Sequence, residues 1–183
     1  TNGSSTPLKT LSLIGMPGAG KSTVGVILAK RTGLRFVDTD LDIQVREQAT
    51  LQEILERDGY LYLREVEREV LLDIELEGSV ISTGGSAVYS SPVMSRLRAA
   101  GPVVYLDTPL EVLQQRVAAG PPRGIASDPG EDYAQVFMER TPLYRQYADI
   151  TVATGGLELE QVAAAVLSAL KQRYAEGAAS GPG

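Results

Sequence analysis

The chain is predicted to fold as an α/β domain with a five-stranded parallel sheet covered by helices. Two observations predict it. Short apolar β-like runs alternate along 183 residues with longer stretches of three- and four-residue apolar spacing. A glycine-rich pattern, Gly15-Met16-Pro17-Gly18-Ala19-Gly20-Lys21-Ser22, falls between the first run and the first helical stretch. No internal repeat or second domain is visible.

The elements follow in order. Leu11, Leu13 and Ile14 form the first strand, Ser22 to Arg31 the first helix, and Gly33 ends it. Arg35-Phe36-Val37 is a short second strand, followed by a helix from Leu41 to Gln48. Thr50-Leu51-Gln52-Glu53 reads as a capping box opening a helix that closes near Gly59. Tyr60 to Leu76 is a long helical stretch carrying Leu63, Val66, Val70 and Ile74, and Ser79 to Ser82 is the third strand. Ser91 and Pro92 start a helix that Gly101 stops. Pro102 to Leu106 is the fourth strand, and Thr108-Pro109-Leu110-Glu111 a second capping box opening a helix to Ala119. Gly120 to Asp132 is rich in Gly, Pro, Ser and Asp, a flexible loop whose length marks it as functional. Glu131 to Tyr147 is helical with a break near Pro142, Asp149 to Ala153 is the fifth strand, and Leu157 to Tyr174 a closing helix.

Composition excludes several chemistries. A net charge of −6 opposes a nucleic-acid partner. The absence of cysteine removes disulfides and thiolate metal sites, and the absence of histidine removes Ser-His-Asp catalysis and the usual zinc sites. Proton transfer therefore falls to a carboxylate, lysine, tyrosine or water. No apolar run reaches the roughly 20 residues that span a bilayer. Thr1 to Thr6 lacks the character of a signal peptide, so a cytoplasmic protein is expected.

The glycine-rich pattern carries the first functional conclusion. Its glycines let successive N–H groups turn inward to cradle phosphate oxygens at a helix N-terminus. Lys21 supplies a point charge for the β- and γ-phosphates, and Ser22 a hydroxyl for Mg²⁺. The pattern thus reads as a nucleoside triphosphate site. Asp38 and Asp40 follow the second strand at the carboxyl edge of the sheet, where open α/β folds bind ligands. One carboxylate suits Mg²⁺ through water and the other a hydroxyl proton; equally, Asp40 suits capping of the next helix. Arg64 and Arg140 read either as surface charges or as site residues, and Gly84-Gly85 either as a tight turn or as a close approach to ligand. Arg123 in the loop suits stabilisation of a transferring phosphoryl group.

From about Leu11 to about Tyr174 these residues together resemble the shikimate kinases, small members of the nucleoside-monophosphate-kinase-like P-loop group. The resemblance is carried by GMPGAGKST, Asp38-Thr39-Asp40, Leu63-Arg64-Glu65-Val66-Glu67, Gly84-Gly85-Ser86, Pro122-Arg123-Gly124 and Arg140-Thr141-Pro142-Leu143-Tyr144. It implies a three-layer α/β/α P-loop kinase fold with a mobile lid at about residues 120–132. By composition residues 1–8 read as a disordered tail, 9–175 as one domain and the Gly/Ala/Ser-rich 176–183 as a loose end. The resemblance implies that ATP is held by Gly18, Ala19, Gly20, Lys21, Ser22 and Thr23, with Arg116 stacking on adenine. Ser22 then ligates Mg²⁺ with Asp38 near it, Asp40 is the base, and Lys21 and Arg123 stabilise the transferring group. Asp40, Arg64, Gly84, Gly85 and Arg140 bind shikimate, the two arginines gripping its carboxylate.

Three positions depart from the family pattern: Ser86 replaces the third glycine of the turn, Arg123-Gly124-Ile125 replaces the lid sequence, and Leu63 precedes Arg64 with Tyr60 upstream. The implied activity is Mg²⁺-dependent transfer of the ATP γ-phosphate to the 3-hydroxyl of shikimate by a monomer. A gluconate kinase is the alternative, disfavoured by Asp-Thr-Asp and the lack of histidine. A regulatory domain that binds ATP without turnover is a third reading.

Overall fold

The computed structural model describes residues 9–121 and 124–179. The tail expected over residues 1–8, and Pro122 and Arg123 of the expected lid, lie outside the described residues. The elements run β1 (Leu11–Ile14), α1 (Lys21–Thr32), β2 (Arg35–Asp38), α2 (Thr39–Glu47), α3 (Leu51–Asp58), α4 (Tyr60–Asp73), β3 (Ser79–Ser82), α5 (Ser91–Ala100), β4 (Val103–Asp107), α6 (Leu110–Ala119), α7 (Tyr133–Tyr147), β5 (Ile150–Ala153) and α8 (Leu159–Ala179), with a 3₁₀ turn at Ala87–Tyr89.

All neighbouring strands pair parallel, in the order β2-β3-β1-β4-β5. The β1 and β3 strands are buried throughout, as is β4 up to its last residue, because helices cover both faces. Helix α1 packs against α8, β2 and β3, while α4 packs on α5 and α7 on β4, giving three layers. A smaller core of Ile43, Ile54, Leu63, Val66, Val70 and Ala126 ties α2, α3 and α4 to the loop before α7.

Several boundaries differ from the sequence expectation for identifiable reasons. Helix α2 starts at Thr39 rather than Leu41, because Asp38 is its cap and accepts the Asp40 N–H at 3.0 Å. Thr50 caps α3 by accepting from the Glu53 N–H at 3.2 Å. Ser90, one residue before the expected start, caps α5. The second capping box does not form: Thr108 instead shares a 2.8 Å hydroxyl contact with Thr154 that ties the ends of β4 and β5. A capping box appears at α7, between Asp132 and Gln135. Helix α7 runs unbroken through Pro142. Pro142 removes one donor to Met138, which lies on the exposed side, where water can replace it. Helix α8 continues past Tyr174 to Ala179, so residues 176–179 of the expected loose end are helical. Residues 180–183 lie outside the described residues.

Candidate active site

Strand β1 lies between β3 and β4, so the chain leaves it on opposite sides of the sheet, and a crevice opens at its carboxyl end. The loop from Gly15 to Gly20 fills that crevice. Gly18 and Gly20 have φ of 94° and 91°, a region that side chains rarely adopt, and a Cβ on Gly20 would come within 2.6 Å of Leu159. The loop is braced from outside: the Tyr133 hydroxyl donates to the Pro17 carbonyl at 2.6 Å and Arg116 Nη1 to the Gly18 carbonyl at 2.9 Å.

Lys21 is buried and curls back over this loop, with Nζ donating to the carbonyls of Gly15 at 2.6 Å and Met16 at 3.0 Å. Burial lowers its pKa to about 8, although the nearby Asp40, Glu67 and Asp38 charges work against the shift. Behind it the Ser22 hydroxyl donates to Asp38 Oδ2 at 2.7 Å and lies 3.3 Å from the Ser82 hydroxyl. The capping role foreseen for Asp40 is therefore Asp38's. Thr39 pins the strand ends together, donating to the Ser82 carbonyl and accepting the Gly84 N–H.

A cleft of about 890 Å³ extends from the loop. Gly18, Gly20, Lys21, Ser22, Thr23 and Arg116 line one part of it, and Asp40, Gly84, Gly85, Ser86, Glu67 and Arg140 another. Ala19 is buried beneath the loop. The Gly84-Gly85 turn is held to α7 by the Tyr144 hydroxyl, which donates to the Gly85 carbonyl at 2.6 Å while its ring stacks on Tyr105. Burial keeps the Tyr144 phenol far above its ordinary pKa. A Cβ on Gly84 would meet Glu67 Oε1 at 2.5 Å, and one on Gly85 would meet Arg140 Nη1 at 2.8 Å. A Cβ at either glycine would thus displace the end of a side chain of the site itself. Ser86 has φ −91°, so a third glycine is not required there by the backbone.

Arg140 is 1% exposed and lines the cleft. Arg64 lies at its edge, in an adjoining pocket of about 200 Å³ that also touches Glu67, Ser86 and Tyr89. The two guanidinium groups nevertheless meet: Arg64 Nε and Arg140 Nη2 both donate to the Ala126 carbonyl, at 2.8 and 2.9 Å. The Tyr89 ring lies within 4.1 Å of Arg64 and 5.4 Å of Arg140. Arg123 lies outside the described residues.

Glu67 and Tyr89 were given no role by the sequence reading. Glu67 is buried, its carboxylate accepts from the Ser86 hydroxyl, and burial raises its pKa to about 7. Its signal was available: a glutamate four residues after Leu63 and three before Val70 sits within an apolar stripe. Tyr89, the last residue of the 3₁₀ turn, has no such signature.

Among the described residues no cluster of three acidic or histidine side chains could hold a metal by itself. The Ser22, Asp38 and Ser82 oxygens form a small all-oxygen set beside the phosphate loop, which fits a hard cation that keeps water and phosphate ligands.

Parallel strands, a phosphate loop at the switch point, and a cationic cleft beyond it define a P-loop phosphotransferase. The shikimate kinase family model matches residues 17–171, and the chain belongs to that family. It is 37% identical to the shikimate kinase of Tolumonas auensis, over 88% of this chain and 96% of that one. Identity to the Persephonella marina enzyme is 32%, over 90% and 100%. The structure of shikimate kinase from Acinetobacter baumannii in complex with shikimate matches with a TM-score of 0.80 at 31% identity, over 91% of this chain and 94% of that one. A gluconokinase from Sinorhizobium meliloti, 14% identical with a TM-score of 0.51, shares the fold alone.

Proposed function

We propose that this protein is a shikimate kinase that transfers the γ-phosphoryl group of ATP to the 3-hydroxyl of shikimate. The observation that carries the acceptor assignment is the convergence of Arg64 and Arg140 on one carbonyl oxygen. Two guanidinium groups that share an sp² oxygen are arranged to take a carboxylate oxygen there, with stronger bonds because the acceptor then carries the opposite charge.

In this reading the acceptor hydroxyl oxygen forms a bond to the γ-phosphorus, its proton passes to the Asp40 carboxylate, and the bond from phosphorus to the β–γ bridging oxygen breaks to release ADP. Catalysis is chiefly positioning and neutralisation of charge. Backbone N–H groups of Gly18 to Thr23 hold the triphosphate, Lys21 turns from its loop carbonyls to the β- and γ-oxygens, and Arg116 faces the nucleotide. Ser22, with Asp38 beside it, would hold Mg²⁺, which neutralises phosphate charge when bound. Gly84 and Gly85 carry the acceptor against the turn, and Arg123 is assigned to the transferring group. Every residue with a role belongs to one chain, so a monomer suffices, and dependence on ATP suits the cytoplasm. No described helix is long and apolar enough to cross a membrane.

The test is ADP release measured with shikimate, quinate and gluconate as acceptors. Turnover with shikimate is expected; turnover with gluconate alone, or ATP binding without turnover, overturns the assignment. Lys21→Ala is expected to lower kcat by at least about a hundredfold, and an unchanged kcat contradicts its role.

A further inference from the structure

Glu67 sits where an ion pair is expected and, among the described residues, makes none. It is 4% exposed, lies on the core side of α4, and faces Lys21 of α1, Asp40 of α2, and Arg140 and Tyr144 of α7. A buried carboxylate beside cations ordinarily pairs with one. Among the described residues no ion pair joins Glu67 to Arg140 or Lys21. One carboxylate oxygen accepts from the Ser86 hydroxyl; the other, buried against Gly84, has no hydrogen-bond partner among the described residues.

The cation beside it is held by neutral acceptors. Arg140 donates to the Tyr89 hydroxyl at 3.3 Å and the Ala126 carbonyl at 2.9 Å. Glu67 packs against Gly84, and Arg140 against the next residue of the turn, Gly85. Ser86 comes next, and its hydroxyl reaches back to Glu67.

We propose that Ser86 is a positioning residue of the acceptor site: its hydroxyl clasps the Glu67 carboxylate and keeps it off Arg140, leaving that guanidinium open to an anionic acceptor. The clasp belongs to this chain's departure from a triple-glycine turn, because a glycine has no hydroxyl to offer. Without it the carboxylate moves onto Arg140 and competes with the acceptor's own carboxylate. The functional consequence rests on the acceptor reading given above.

The experiment compares wild type with Ser86→Ala, Ser86→Thr, Glu67→Gln and the Ser86→Ala/Glu67→Gln double variant at pH 8, where Glu67 is ionised. Ser86→Ala is expected to raise KM for shikimate about tenfold, with kcat and KM for ATP changed less than about twofold. Ser86→Thr restores KM, and in the Glu67→Gln background Ser86→Ala has no further effect. An unchanged KM in Ser86→Ala, additive effects of the two substitutions, or failure of Ser86→Thr to rescue overturns the proposal. Should Ser86→Ala not fold, Ser86→Gly gives the same comparison. The NMR signal of the Arg140 Nε–H group, read without any ligand, separates this proposal from the acceptor reading. It should shift in Ser86→Ala and not between Glu67→Gln and the double variant. That pattern in an enzyme inactive on shikimate sinks the acceptor alone, whereas an unmoved signal sinks the clasp.

Discussion

Glu67 holds its proton up to about pH 7 in the folded protein, against an ordinary value of 4.5, because burial penalises its charge. Between those values the folded state binds a proton that the unfolded chain has lost, so this residue's stabilising contribution is full below 4.5 and lost as pH rises through 7. Glu67→Gln has no such loss. Its unfolding free energy relative to wild type should therefore improve by a few kcal/mol between pH 4.5 and 8 in chemical denaturation; a constant difference would contradict the raised pKa. Lys21 runs the other way, charged only below about pH 8 in the free enzyme. As pH rises through 8, kcat/KM for ATP should decline, and Lys21→Arg should move that limb upward. Arg64→Ala should raise KM for shikimate far more than KM for ATP, since Arg64 meets Arg140 at Ala126 and not at the phosphate loop. Equal effects on the two would remove the carboxylate grip.

Elements were legible in the sequence where one physical cue dominated. The β1 and β4 strands announce themselves as nearly unbroken apolar runs, and α4 by its periodic stripe. The misread places are those where two local roles compete for one residue. Thr108 has the spacing of a cap, but its hydroxyl is used across the sheet by Thr154, a contact that local sequence does not encode. Asp38 and Asp40 are both plausible caps, and the choice follows from Ser22 holding the other Asp38 oxygen. The same holds for the site: the phosphate loop could be read because its residues are contiguous, whereas Ser86, Glu67 and Tyr89 gain meaning only when α4 and the turn after β3 come together. Pro142 offers a test at this scale. Pro142→Ala restores a donor within α7 and should stabilise the protein by about 1–3 kcal/mol; a loss of stability would show that the proline is required. Gly124 offers another, since a Cβ there would lie 2.4 Å from the Leu51 backbone. Gly124→Ala should destabilise by about 1–3 kcal/mol, and an unchanged midpoint would mean that this segment does not seat on α3.

At the scale of the molecule, a chain of net charge −6 gathers Lys21, Arg116 and Arg140 around one cleft. The sheet contributes the phosphate loop, and the smaller core contributes α4 and Ala126, so the cleft is bounded by two packed bodies. Under the proposed function, that arrangement would bring a triphosphate held by main-chain amides within reach of an acceptor held by guanidinium groups. The measurement that bears most directly on it is the rate of phosphoryl transfer from ATP to shikimate against that to its carboxamide, which keeps the ring hydroxyls and loses the negative charge. Replacing two guanidinium–carboxylate bonds by weaker guanidinium–amide bonds, a difference of about 3 kcal/mol, predicts kcat/KM at least about a hundredfold lower for the carboxamide. Equal rates for the two acceptors would contradict the account.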